Sequence, residues 1–203
     1  MPGEIFVITA PSGTGKTTLL KPLMAADARL RFSISYTTRP RRPSEVDGKD
    51  YFFVSPDEFR RLRDTGALAE WVEQFGYGYG TSRDWVLDMI RGGGDLIFDL
   101  DSRGARALKG EFPQATLIFI LPPSLGELER RLHGRGGLEP EELARRLANG
   151  RAELKEAYWY DYLVVNDDKA TALSQLQAIV AAARCRTSQI WPQLAPRFLS
   201  DIP

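Results

Sequence analysis

Apolar residues gather in short runs at 5–8, 32–35, 96–100, 117–121 and 162–165, each of strand length and too short to make a helix alone. Between several of them the apolar positions switch to helical spacing. Leu19, Leu20 and Leu23 follow the first run, Leu125, Leu128 and Leu132 the fourth, and Leu173, Leu176, Ile179, Val180 and Ala183 the last. Strands alternating with helices predict an α/β chain whose parallel sheet is covered on both faces. Helix-start signals agree: Ser55-Pro56-Asp57-Glu58 offers an N-cap, a first-turn proline and a capping-box acid, and Ser124 with Glu127 repeats the box.

Two segments break the alternation. Residues 36–88 hold a Pro/Arg loop, a short β-like run at 51–54, the Ser55-capped helix and a Gly/Tyr-rich stretch at 75–80, a pattern that reads as an inserted subdomain. Residues 133–151 hold Gly134, Gly136 and Gly137, then a helix with Arg145, Arg146 and Arg151. Glycine hinges beside arginines fit a lid that closes over phosphate, and equally a solvated charged helical hairpin.

The first strand runs straight into Ala10, Pro11, Ser12, Gly13, Thr14, Gly15, Lys16, Thr17 and Thr18. A glycine-rich loop between a strand and a helix start points backbone N–H groups at phosphate, with Lys16 reaching the β- and γ-phosphates and Thr17 available to Mg²⁺. Ala10 stands where that motif has its first glycine, the smallest departure a side chain can make.

Composition narrows the partners. Lys plus Arg (27) balance Asp plus Glu (27), so anion binding is local and no broad basic surface favours nucleic acid or a membrane. Cys185 is the only cysteine and His133 the only histidine, which leaves no internal disulfide, thiolate metal cluster, histidine triad or zinc site. The lone thiol suits a reducing compartment, and Met1-Pro-Gly-Glu carries no basic leader, so the expected location is the cytoplasm. Arg39-Pro-Arg-Arg42 is then a cationic cluster in a neutral chain, stiffened by proline and suited to bidentate grip on a small phosphorylated ligand.

Eight motifs in order resemble the guanylate kinases: residues 10–17 (APSGTGKT), 35–43 (SYTTRPRRP), 48–53 (GKDYFF), 75–82 (FGYGYGTS), 98–101 (FDLD), 119–124 (FILPPS), 134–136 (GRG) and 164–168 (VVNDD). The resemblance implies a P-loop NTPase three-layer fold with a central parallel sheet. It divides the chain into a core (1–35, 89–132 and 152–184), a GMP-binding subdomain at about 36–88, a helical lid at about 133–151 and a tail at 185–203. It also implies transfer of the ATP γ-phosphate to GMP, with dGMP as second acceptor, Mg²⁺ as cofactor and a place in purine nucleotide metabolism and GMP recycling.

Position by position, the resemblance assigns Arg39, Arg42, Tyr51 and Tyr79 to the GMP phosphate, Glu70 to guanine N1–H and the 2-amino group, and Ser35 and Thr81 to O6. Asp99 falls to the guanine edge and Asp101 to the water shell of Mg²⁺ or to Lys16. Lys16, Arg39, Arg135 and Arg146 are the expected catalytic groups, with Arg145 and Arg151 as helpers. Two readings stay open. Asp99 and Asp101, two residues apart and so on one face of a strand, have helix capping as the alternative, and the tail packs on the core, on a second subunit or on nothing. Monomer and oligomer are equally compatible with the sequence.

Overall fold

The computed structural model describes residues 2–74, 76–134 and 139–200. The first half runs β1 (Ile5–Thr9), α1 (Lys16–Ala26), β2 (Leu30–Phe32), β3 (Tyr36–Thr37), β4 (Phe52–Phe53), α2 (Pro56–Asp64), β5 (Leu68–Gln74), β6 (Tyr77–Ser82) and α3 (Arg83–Arg91). The second half continues β7 (Asp95–Asp99), α4 (Ser102–Glu111), β8 (Thr116–Leu121), α5 (Leu125–His133), α6 (Pro140–Lys155), β9 (Tyr162–Val165), α7 (Lys169–Arg184) and α8 (Thr187–Leu199).

Five strands form the expected parallel sheet, in the order β2-β7-β1-β8-β9. The central strand β1 is buried along its whole length, which is why its sequence is continuously apolar rather than alternating. Its residues divide between two apolar layers. Ile5 and Val7 pack with Val86 of α3 and Ala105 and Leu108 of α4, while Phe6 and Ile8 pack with Leu19 and Leu23 of α1 and Leu176 and Val180 of α7. The result is a three-layer α/β fold.

The 36–88 segment builds a second sheet, β4-β3-β6-β5, in which β5 and β6 pair as an antiparallel hairpin. Its register sets Glu70 directly opposite Thr81. Gly78 of β6 is buried beneath α2, where a Cβ would stand 2.6 Å from Phe59 Cε1, so a larger residue does not fit there.

Several local expectations are redrawn. The strand expected at 32–35 lies at Leu30–Phe32. Ser55 and Ser124 cap α2 and α5 by accepting from the Glu58 and Glu127 N–H groups, each at 3.1 Å. The box acids turn outward instead, Glu58 to Arg61 and Glu127 to Arg130 and Arg131. Asp101 is not a strand residue: β7 ends at Asp99, and Asp101 is the N-cap of α4. Residue 151 falls inside α6, which continues without a break to Lys155. The tail forms α8, with Pro192 and Pro196 inside it. No helix among the described residues is long and apolar enough to cross a membrane.

Candidate active site

The carboxyl ends of β1 and β7 open onto two adjoining cavities, the place where open parallel sheets take ligands. The first, about 360 Å³, is walled by the 10–17 loop. That loop turns on Gly13 (φ 94°) and Gly15 (φ 96°), and Gly15 begins α1 with no side-chain cap, which leaves the first N–H groups of the helix for an anion. A Cβ at Gly15 would stand 2.6 Å from Asn166 Nδ2. Asn166 Nδ2 also donates to the Thr14 carbonyl at 2.7 Å, and Arg131 joins the same carbonyl at 3.1 Å, so the loop is clamped from behind. Ala10 packs against the apolar layer of α1 and α7. Lys16 pairs with Asp99, and Thr17 is exposed at the cavity wall.

The second cavity, about 400 Å³, lies between the two sheets and is lined by Ser35, Arg42, Tyr51, Glu70, Tyr79 and Asp99 among others. Glu70 is only 3% exposed. Thr81 Oγ1 donates to it at 2.8 Å, and Thr81 and Ser35 hydroxyls lie 3.3 Å apart, so the acid heads a short polar chain. Burial pushes the Glu70 carboxyl up to about 7, against the downward pull of the Thr81 hydrogen bond. Thr81 is fully buried behind Glu70 and off the cavity wall.

Of the two arginines expected here, Arg42 lines the cavity and Arg39 lies off its wall, behind Tyr51. Arg39 stacks over Tyr51 and Phe53 at 5.5 and 5.8 Å, and its Nη2 donates to Glu45 Oε1 at 2.7 Å. The other Glu45 oxygen accepts from the Arg42 N–H at 2.8 Å, so one acid organises both arginines. Tyr51 and Tyr79 meet edge to face at 6.1 Å. Asp99 and Asp101 both line the two cavities; Asp101 also accepts from the Gly104 N–H at 2.9 Å and from Arg103 at 3.2 Å.

Helix α6 supplies a third wall. Arg146 grips Glu142 through Nε and Nη2 at 3.0 and 2.6 Å and touches Ser12 Oγ at 3.3 Å. Arg145 lines the same side of the cleft and Arg151 is exposed. Arg135 lies outside the described residues, as do Gly136 and Gly137.

A family model described as guanylate kinase matches residues 3–183. The chain belongs to the guanylate kinase family. Among curated guanylate kinases, one from Geobacter sulfurreducens is 44% identical over 199 residues, 98% of each chain. One from Syntrophotalea carbinolica is 47% identical over 200 residues, 98% of this chain and 95% of that one. The crystal structure of guanylate kinase from Anaplasma phagocytophilum superposes with a TM-score of 0.75 at 31% identity, covering 97% of this chain and 96% of that one.

Within this guanylate kinase fold, sequence reasoning passed over three groups. Glu45 sits in an irregular loop where no periodicity marks it, and its one legible signal is an acid three residues beyond Arg42. Asn166 and Arg131 act on the phosphate loop from more than 100 residues away, a relation that spacing cannot reveal. Glu153 of α6 has a buried Oε2 without a hydrogen-bond partner, and burial holds its carboxyl above the usual range while Lys16 draws it down.

Proposed function

We propose the following division of labour for the family reaction, ATP-dependent phosphorylation of GMP to GDP. The observation that carries it is the acceptor cavity, whose wall combines the buried acid Glu70 and the Ser35 hydroxyl with Arg42 and the phenols Tyr51 and Tyr79. Guanine offers N1–H and a 2-amino group to Glu70 and O6 to Ser35, with Thr81 holding Glu70 from behind rather than reaching O6, while Arg39, Arg42, Tyr51 and Tyr79 take the phosphate. Adenine lacks the N1–H and would leave the Glu70 carboxylate buried and poorly paired.

The donor side follows from the loop. Residues 10–18 bind the ATP phosphates through backbone N–H groups, and Lys16 exchanges Asp99 for the β- and γ-phosphates, which frees Asp99 toward the guanine edge. Thr17, Asp99 and Asp101 present hard oxygen donors in one cavity, a set that fits Mg²⁺, with Thr17 as the contact and Asp101 acting through water. Arriving with ATP, Mg²⁺ supplies positive charge to the β- and γ-phosphates. Arg146, with Arg135, neutralises the charge that spreads over the transferring group, as in-line phosphoryl transfer requires. Segment 36–88 serves as the acceptor subdomain and 133–151 as the lid.

Nothing in the guanine and phosphate contacts engages the sugar 2′ position, so dGMP is the second acceptor. The exposed single thiol Cys185 suits a reducing cytoplasm, where the product GDP enters purine nucleotide metabolism. Calorimetric titration tests the acceptor assignment: GMP and dGMP should bind within about tenfold of each other, and AMP at least ~100-fold more weakly. Equal binding of AMP would overturn it.

A further inference from the structure

Helix α6 turns one stripe toward the cleft. Arg146, Asn149, Gly150 and Glu153 line a single cavity of about 340 Å³ with Ser12 of the phosphate loop, and their i, i+3, i+4, i+7 spacing places them on one helical face. The stripe sits close because Gly150 is buried where a Cβ would lie 3.1 Å from Leu128 Cδ2 and 3.6 Å from Pro11 Cβ. That approach brings Glu153 to the wall of the phosphate-loop cavity, beside Lys16, Thr17, Asp99 and Asp101.

Three carboxylates therefore share this cavity, and they differ in what engages them. Asp99 takes Lys16, and Asp101 takes the Gly104 N–H and Arg103. Only in Glu153 is a carboxylate oxygen buried without a hydrogen-bond partner. Leaving such an oxygen unpaired is costly, and the phosphates of a nucleotide would repel it further, so the compensating group has to be cationic or a hydrogen-bond donor. Lys16 is already directed to Asp99 and the phosphates. A magnesium ion held by nucleotide keeps several waters, each donating outward, and these match the unused oxygen. Among the described residues no cluster of three or more acids, histidines or cysteines is close enough to cage a metal, which favours contact through water over direct ligation.

We propose that Glu153 is an outer-sphere acceptor for the water shell of the metal that accompanies the donor nucleotide. The proposal rests on the reading of residues 10–18 as the ATP phosphate site. Two turns along the same helix stands Arg146, so the metal contact also holds α6 in the register from which that arginine reaches the transferring group.

Glu153→Gln keeps the size of the side chain and removes its charge. The test titrates Mn²⁺, followed by electron paramagnetic resonance, into protein saturated with ADP, beside a titration of ADP alone in chelator. ADP alone should bind the variant at least as tightly as wild type, because a charge that repels its phosphates is gone, while the Mn²⁺ affinity of the ADP complex should fall about tenfold or more, the usual effect of losing an outer-shell partner. Glu153→Ala should lose at least as much and serves if the glutamine form fails to fold. Mn²⁺ affinity equal to wild type in either folded variant overturns the proposal. Wild-type protein that binds no ADP would overturn the phosphate-loop reading, and this proposal with it.

Discussion

Glu70 sits at the wall of the acceptor cavity with its carboxyl held near pH 7 by burial, yet guanine N1–H requires the ionised form. On the proposed pairing of Glu70 with guanine, GMP binding should expel a proton when the pH lies below about 7, and the affinity should weaken as the solution is acidified from pH 8 to 6. The GMP phosphate itself titrates near pH 6, so the comparison is with Glu70→Gln, whose pH dependence should be shallower. For stability the sign is opposite to that of a salt-bridged acid. The fold binds this proton more tightly than the unfolded chain does, so its contribution is present below the ordinary glutamate value of 4.5 and is lost as the pH rises to about 7. Glu70→Gln should melt higher than wild type at pH 8 while raising the GMP KM by about 100-fold, a combination read from thermal melts beside steady-state kinetics. In the sequence Glu70 is an acid inside Ala69-Glu-Trp-Val, indistinguishable from a surface residue. Its meaning comes from Thr81, eleven residues away, and only hairpin pairing brings the two together.

At the scale of elements, the loop between β3 and β4 carries both its arginines and the acid that aims them. Glu45, between β3 and β4, holds the Arg39 side chain and the Arg42 backbone. Glu45→Gln should raise the KM for GMP by about tenfold and change kcat by less than threefold, since the acid aims the arginines for ground-state binding and touches no reacting atom. Arg146→Ala should do the reverse, lowering kcat by at least ~100-fold with a smaller change in KM, because the role proposed for it is confined to the transition state. If kcat stays within about twofold of wild type, Arg146 is not catalytic. Elements with local chemical signals were legible: the Ser55 and Ser124 caps, the β1 run and the α7 stripe. The β5–β6 hairpin was not, because Gly76, Gly78 and Gly80 interleave Tyr77 and Tyr79 with the residue that weakens strands. Nor was α8, whose Pro192 and Pro196 argue against a helix on local grounds.

For the molecule as a whole, the two ends of the parallel sheet have different duties. The carboxyl ends of β1 and β7 carry the cavities, while at the amino end Asp95 is fully buried, accepting from the Glu4 N–H at 2.8 Å and from Arg184 Nε at 2.7 Å. Asp95→Ala would leave the Glu4 N–H unpaired and Arg184 with Asp27 alone, and should cost ~2–3 kcal/mol, a drop of roughly 5–10 °C in Tm, with the GMP KM unchanged. The strand–helix alternation made the sheet and its parallel sense legible, but strand order and the partnership of Asp95 with Arg184, 89 residues apart, depend on how the chain crosses over itself. On the proposed assignment this architecture pairs a phosphate donor site with a guanine-selective acceptor site. Coupled measurement of ADP release with ATP and either GMP or AMP decides the matter: kcat/KM for GMP should exceed that for AMP by about 10⁴-fold, and an AMP value within tenfold of GMP would contradict guanine selectivity.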